Sequence, residues 1–212
     1  MLNNDINLFL WDDYTTTSKE GFILTYNTSL SAELPIRDIF GEQRKDFKLK
    51  DPNIETSTFG YYDCLNLKER DLFVKRQKKY IFFLTKYKGI NEEYKDKILI
   101  TGMMTVVKIK DMYGRIESCF NKATSNRIKS WWAFWGPMKF LSLEDALEVT
   151  PELLERWGFE VGDKVKKSTF DLNDEITEEL LEYFDSKEDY TSQYIEEIKM
   201  LTELIDGIEE DI

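Results

Sequence analysis

Two runs in the chain, Tyr80 to Thr85 (YIFFLT) and Ile98 to Lys110 (ILITGMMTVVKIK), are apolar almost without interruption and rich in aromatic and β-branched residues. A strand with one wet face alternates apolar and polar positions. A nearly continuous run instead calls for strands covered on both faces, or for a sheet curled into a barrel. The charged connection between the runs, which contains Gly89, makes them candidates for neighbouring strands, and Gly102 inside the second marks a bulge, a bend or a close backbone approach. Ile6 to Trp11 (INLFLW) and Phe22 to Tyr26 (FILTY) have strand character too and are expected to pair. From Asn27 to Lys79 the pattern is broken by Pro35, Pro52 and Gly60, which favours short irregular elements over a long helix.

The last third reads as helices with start signals. Ser142 is a cap for Leu143 to Val149 with Asp145 at N3, and Thr150 precedes Pro151 and Glu152 as the cap of a second helix that Gly158 ends. Asn173 or Asp174 would cap a helix carrying Ile176, Leu180, Leu181 and Phe184. Another is expected from near Thr191, with Ile195, Ile198, Leu201, Leu204, Ile205 and Ile208 at helical spacing. Such a stripe needs a cover, either this chain's own core or a partner or second copy docked along residues 191–208.

Charge is divided between these regions. The formal net charge is -12, yet residues 1–140 carry 23 Lys and Arg against 18 Asp and Glu, whereas residues 141–212 carry 6 against 23. A basic face can therefore coexist with acidic helices, whose acids, interleaved with apolar residues, read first as solvated helix faces. The chain has no histidine, which excludes a Ser-His-Asp triad, a Cys-His pair and a His-ligated metal within it. No glycine-rich phosphate loop is present, so no nucleotide cofactor is implied. Cys64 and Cys119 lack metal-ligand spacing and read as buried thiols. The longest apolar runs fall short of the roughly 20 residues that span a bilayer, and the expectation is a cytoplasmic protein without a membrane partner.

The densest constellation is Asn126 to Phe140 (NRIKSWWAFWGPMKF), where Trp131, Trp132, Phe134 and Trp135 follow Arg127 and Lys129. Aromatic faces stack on bases and cations meet phosphates, although the same rings would also make a core wedge. Lys75, Arg76, Lys78 and Lys79 precede the YIFFLT run and Lys86 and Lys88 follow it, which would add a cationic rim if the strand ends met the tryptophans. The acidic pairs Asp12-Asp13 and Glu92-Glu93 are read as turns, because consecutive strand residues point to opposite faces. Tyr61 and Tyr62 after Gly60 could supply a phenol to a pocket, without specific spacing.

The order of these features, a YIFFLT strand, a KY pair, ILITGMMTVVKI with its internal glycine and a later WGP segment leading to a capped helix, resembles the PUA-like β-barrels, the superfamily of EVE, YTH and ASCH domains and of nucleotide-modification-associated domains. The similarity covers about residues 60–145. It implies a small mixed β-barrel, which together with the helical and charge patterns gives an α+β chain with a barrel-like domain over residues 1–140 and an acidic C-terminal helical subdomain over residues 141–212, packed on it or on a partner; the acidic tail is not part of a minimal domain of this type. It also implies an aromatic-walled pocket for a modified base, with Thr85, Lys86, Lys88, Trp131, Trp132 and Trp135 carried over by position and Arg127 added from the basic residues beside them.

The function these readings favour is a non-enzymatic module that binds DNA or RNA bearing a modified base, or a modified nucleotide. One alternative is an interaction or oligomerisation protein acting through the acidic C-terminal helices. A second is a nucleotide- or nucleic-acid-processing enzyme that works without histidine, using carboxylate, lysine or tyrosine.

Overall fold

The computed structural model describes residues 12–25, 52, 54, 57–61, 72–87, 91–111, 132–159 and 170–197. Among them, ten strands form two open sheets, with a few helices, in an α+β arrangement. The strands are β1 (Asp12–Asp13), β2 (Gly21–Thr25), β3 (Thr58–Tyr61), β4 (Tyr80–Lys86), β5 (Ile98–Thr105), β6 (Lys108–Asp111), β7 (Trp132–Trp135), β8 (Met138–Phe140), β9 (Leu147–Glu148) and β10 (Phe170–Asp171). The helices are α1 (Leu72–Lys75), α2 (Pro151–Arg156), α3 (Asp174–Asp185) and a further helical stretch over 191–197, α4.

The expected pairing of the two apolar runs is present: β4 and β5 are antiparallel from Tyr80↔Thr105 to Lys86↔Ile98. β4 also pairs with β2 in parallel, and the larger sheet runs β10-β2-β4-β5-β8, with β9 pairing β5 as well. Both faces of this sheet are covered, which is why its central strands do not alternate. Phe22, Leu24, Ile81, Phe83 and Met104 join one core with Phe59 and Phe134 of the smaller sheet and Phe73 of α1. Ile23, Phe82, Leu84, Ile100 and Met103 join a second core with Leu154 and Trp157 at α2 and with Ile176, Leu180 and Phe184 of α3.

The barrel expected from the sequence is not what the described strands make. They form two open sheets, and the run read as one strand from Ile98 to Lys110 is broken at Val106 and Val107, where the chain passes from the larger sheet into the smaller one, β1-β6-β7-β3. Its partner makes the same passage at Gly136 and Pro137. Between the pairs Met104↔Met138 and Lys108↔Trp135 one strand advances four residues and the other three, so the corner contains a bulge. Thr105 N donates to Pro137 O and Val107 N to Trp135 O across it, at 2.9 and 3.0 Å. Gly136 is required there, because a Cβ would overlap the Thr105 carbonyl. Gly102 answers to two of its three expected roles: a bulge lies beside it on its own strand, where Thr101 is the extra residue between the pairs Phe83↔Gly102 and Leu84↔Ile100, and the Phe140 ring occupies the space a Cβ would need.

Two local signals were overridden by pairing. Ser142 does receive the Asp145 N–H and donates to Asp145 Oδ2, but a single turn follows, because Leu147 and Glu148 pair with Ile100 and Leu99 as β9. Asp12 and Asp13 are an edge strand on β6 rather than a turn. The remaining caps are as read: Thr150 accepts from Leu153 N, Asn173 accepts from Ile176 N at 2.9 Å, and Gly158 ends α2 at φ +77°. The segment Ile6 to Trp11, both cysteines and residues 198–208 lie outside the described residues. In α4, Tyr194 is buried with its hydroxyl donating to Leu141 O at 2.8 Å, and Ile195 packs on the first core.

The C-terminal elements are tied to the sheet by buried charge. Lys78, 2% exposed, donates to Glu20 and to Leu172 O at 2.8 Å, and its ammonium lies 2.6 Å from Asp171 Oδ1, a contact of charge rather than an aligned hydrogen bond. Arg76 pairs with the other Asp171 oxygen, and the Phe22 ring lies 5.5 Å from the Lys78 ammonium. At the far end of α3, Lys139 donates to Phe184 O and Lys187 O at 2.6 and 2.7 Å, adding a second donor to the Phe184 carbonyl, which also accepts from Lys187 N. The Lys187 hydrogen bond holds the Asp145 carboxyl below its usual range.

Lys78→Met leaves Leu172 O, Glu20 and Asp171 without the ammonium and is expected to lose about 2 kcal/mol of stability in urea unfolding, less than for a pair buried on both sides, because the Glu20 and Asp171 side chains keep 36% and 32% of their surface and Arg76 still serves Asp171. Adding Asp171→Asn to that variant should restore part of the loss. Tyr14 gives a second prediction: its hydroxyl is buried with no hydrogen-bond partner among the described residues, and burial raises its pKa from 10.0 to about 12. The folded state therefore favours the neutral phenol, and the associated stability is intact below the ordinary value near 10.0 and is lost as pH rises toward about 12. Tyr14→Phe should gain about 1 kcal/mol at neutral pH and lack that alkaline loss, as denaturation at a series of pH values would show.

Candidate functional site

The smaller sheet has one apolar face and one mixed face. Phe59, Phe134 and Ile109 lie side by side on three strands and turn into the first core. Alternation sends their strand neighbours to the opposite face. The registers Asp13↔Lys108, Lys108↔Trp135 and Thr58↔Trp135 then set a row, Asp13, Lys108, Trp135 and Thr58, across all four strands. Directly opposed side chains in such a row have Cβ atoms about 5 Å apart. Trp135 is partly exposed, and Lys108 beside it retains 28% of its side-chain surface. Asp13, 81% exposed on the edge strand, accepts from the Lys108 ammonium at 3.0 Å.

The face closes away from that edge. Thr58 is fully buried and Lys110, next to Lys108 on the same side, is 3% exposed and partnered. Among the described residues, the open part is thus a strip of one indole, one ammonium and one carboxylate. An indole beside an ammonium can receive a flat ring with an attached anion, the ring by stacking and the anion by charge.

No family model matches the chain, and no curated protein and no solved structure matches it.

Of the site residues expected from the sequence, Trp135 alone has a described side chain on this strip. Trp132 is placed in β7 by its pairing with Asp111 and Tyr61, its side chain lying outside the described residues, as do Lys88, Arg127 and Trp131 altogether. Thr85 is fully buried in β4. Lys86 pairs with Asp96 at 2.6 Å, and its backbone faces Ile98 at the start of β5. Trp135 pairs beyond the other end of β5, so seven residues of that strand, about 23 Å of extended chain, and the corner lie between the two. The strand pairing does not bring Lys86 and Trp135 together.

The run Lys75 to Lys79 is not a free cationic rim either: Lys78 is the buried lysine described above and Arg76 is held by Asp171. Lys108 was not singled out from the sequence, and Asp13 was read only as part of a turn. A signal was present, since the second apolar run ends V-K-I-K, an alternation that marks one polar face. Among the described residues, no group of three or more acids or cysteines is placed to hold a metal, and no helix is long and apolar enough to cross a membrane.

Site and scaffold separate by substitution. Phe134→Ala should cost about 3 to 5 kcal/mol and threaten folding, as loss of a fully buried ring does. Trp135→Ala, one residue away on the open face, should cost about 1 kcal/mol, since much of a core residue's cavity penalty is absent there. Equal losses in thermal melts would make Trp135 a core residue and remove it from the site.

Proposed function

We propose that the chain is a non-enzymatic binding module that takes a nucleic-acid strand, or a nucleotide with an exposed base, modified or not, on the mixed face of its smaller sheet. The observation that carries this reading is the row in which a partly exposed Trp135 stands beside Lys108 on a rigid antiparallel sheet. A base would stack on the indole and the phosphate next to it would meet the ammonium. Sheet-borne aromatics receive single-stranded or splayed-out bases in this manner, because a paired base offers its face only within its own stack.

The PUA-like relationship is part of the proposal, supported by strand character alone, and the reading above does not depend on a closed barrel. The binding of DNA or RNA, the cytoplasmic location and the non-catalytic character are likewise proposals. Docking through α3 is the weaker alternative, because Ile176, Leu180 and Phe184 are already used inside this chain. Residues 198–208 keep the partner-helix version open for test by light scattering of the full chain.

Fluorescence anisotropy with a labelled single strand of about 12 nucleotides, inside the usual range for one small domain, tests the function. At low salt the intact chain should bind and should weaken as salt rises. Trp135→Ala should lose a stacking contact of about 1 to 3 kcal/mol, roughly 5- to 150-fold in Kd. Lys108→Ala should flatten the plot of log affinity against log salt by about 0.7, the increment for one phosphate contact on a single strand. Absence of affinity for both modified and unmodified strands at low salt would overturn the reading.

A further inference from the structure

Lys108 is already engaged. Its ammonium lies 3.0 Å from Asp13 Oδ1, and Asp13 is both the most exposed member of the cross-strand row and the one farthest toward the sheet edge. A phosphate arriving beside a base on Trp135 would need the position that this carboxylate holds. It would also approach a negative charge, since Asp13 is 81% exposed. We infer that Asp13 is an internal counter-ion that limits the affinity of this face, so that an anionic ligand binds by displacing it from Lys108. This inference rests on the proposed nucleic-acid reading and adds to it a residue that sets affinity without touching the base.

Geometry makes the displacement practicable. β1 is two residues long and is held to β6 by backbone pairing at Asp12↔Ile109 and Asp13↔Lys108, so the carboxylate can swing into solvent while the strand stays in place. The ammonium has less freedom, since Lys108 lies between Asp13 and Trp135 in the row and keeps 28% of its side-chain surface against 81% for Asp13. An exposed pair of this kind is weak. A ligand phosphate can therefore replace the carboxylate at small cost.

Asp13→Asn keeps the shape and removes the charge. In the same anisotropy assay it should bind the single strand about two- to fivefold more tightly than the unaltered chain at low salt, the factor corresponding to an exposed ion pair. Asp12→Asn removes the same charge from the neighbouring position, whose side chain belongs to the other face, and should change affinity by less. In a Lys108→Met background, Asp13→Asn should lose most of its gain, because the ammonium it frees is no longer there. If the strand binds but Asp13→Asn and Asp12→Asn behave alike, or the gain survives without Lys108, the counter-ion role is wrong and the binding reading stands. If neither the unaltered chain nor Asp13→Asn binds the strand while thermal melts show both folded, both readings fall.

Discussion

The corner at Thr105 to Val107 and Trp135 to Pro137 is the constraint on which the rest of the structure depends. Two strands leave the larger sheet side by side, turn through a one-residue bulge and continue as the centre of the smaller sheet. Strands that change sheets in this way allow one ribbon to serve two layers, with a single core between them. The turn is possible because Gly136 lets the backbone pass against the Thr105 carbonyl, a position no side chain could share. Phe134 and Trp135, adjacent in sequence just before the corner, are thereby committed to opposite environments. One completes the core with Phe73 at a ring separation of 4.7 Å, and the other remains on the open face.

On the other side of the larger sheet, polar groups rather than a second apolar layer alone fix the C-terminal elements. Gly21 N donates to the Thr177 hydroxyl at 3.1 Å, Leu172 N donates to Gly21 O, and Lys78 reaches the carbonyl of Leu172. These bonds join residues far apart in the chain within a region where water is excluded and an unmade hydrogen bond is expensive. The burial of a lysine here is tolerable because its three partners include two carboxylates. The acidic composition of the last third is thus put to structural use at Asp171 of β10 and at Glu179 of α3, which accepts from Arg156 and Trp157, and Glu175, Glu178 and Glu182 of α3 stand in solvent.

Much of the secondary structure was legible, and the reasons are local. Continuous apolar runs gave β4 and β5 their type and pairing, and Asn173, Thr150 and Gly158 announced helix ends because capping is decided by the side chain and backbone of a few neighbouring residues. Beyond the β4–β5 pair, tertiary pairing was not legible. Ser142 begins a helix by the same local rules and is overruled when Leu147 and Glu148 complete an edge of the larger sheet. The site was partly legible: the tryptophan segment pointed to β7, but stacking on Trp135 depends on which strands flank it. Thr58, Lys108 and Asp13 come from three separate stretches of sequence, and only the register unites them. Lys86 shows the converse, a residue close to the right composition and at the wrong end of a strand.

The charge division of the sequence also acquires a different meaning once the pairs are known. An excess of lysine and arginine in residues 1–140 suggests a surface ready for polyanions, but Arg76, Lys78, Lys86, Lys95, Lys97 and Lys108 are each matched to a carboxylate within the chain. Lys139 is spent on helix carbonyls. What attracts a polyanion is charge left over after such pairing, and composition overstates it. A face with little uncompensated charge cannot hold a nucleic-acid backbone by electrostatics alone, since affinity from phosphate contacts grows with the number of phosphates neutralised. Among the described residues the proposed site offers one ammonium, already paired, so binding there as proposed would draw most of its strength from stacking, and the base would be the part of the ligand that is read.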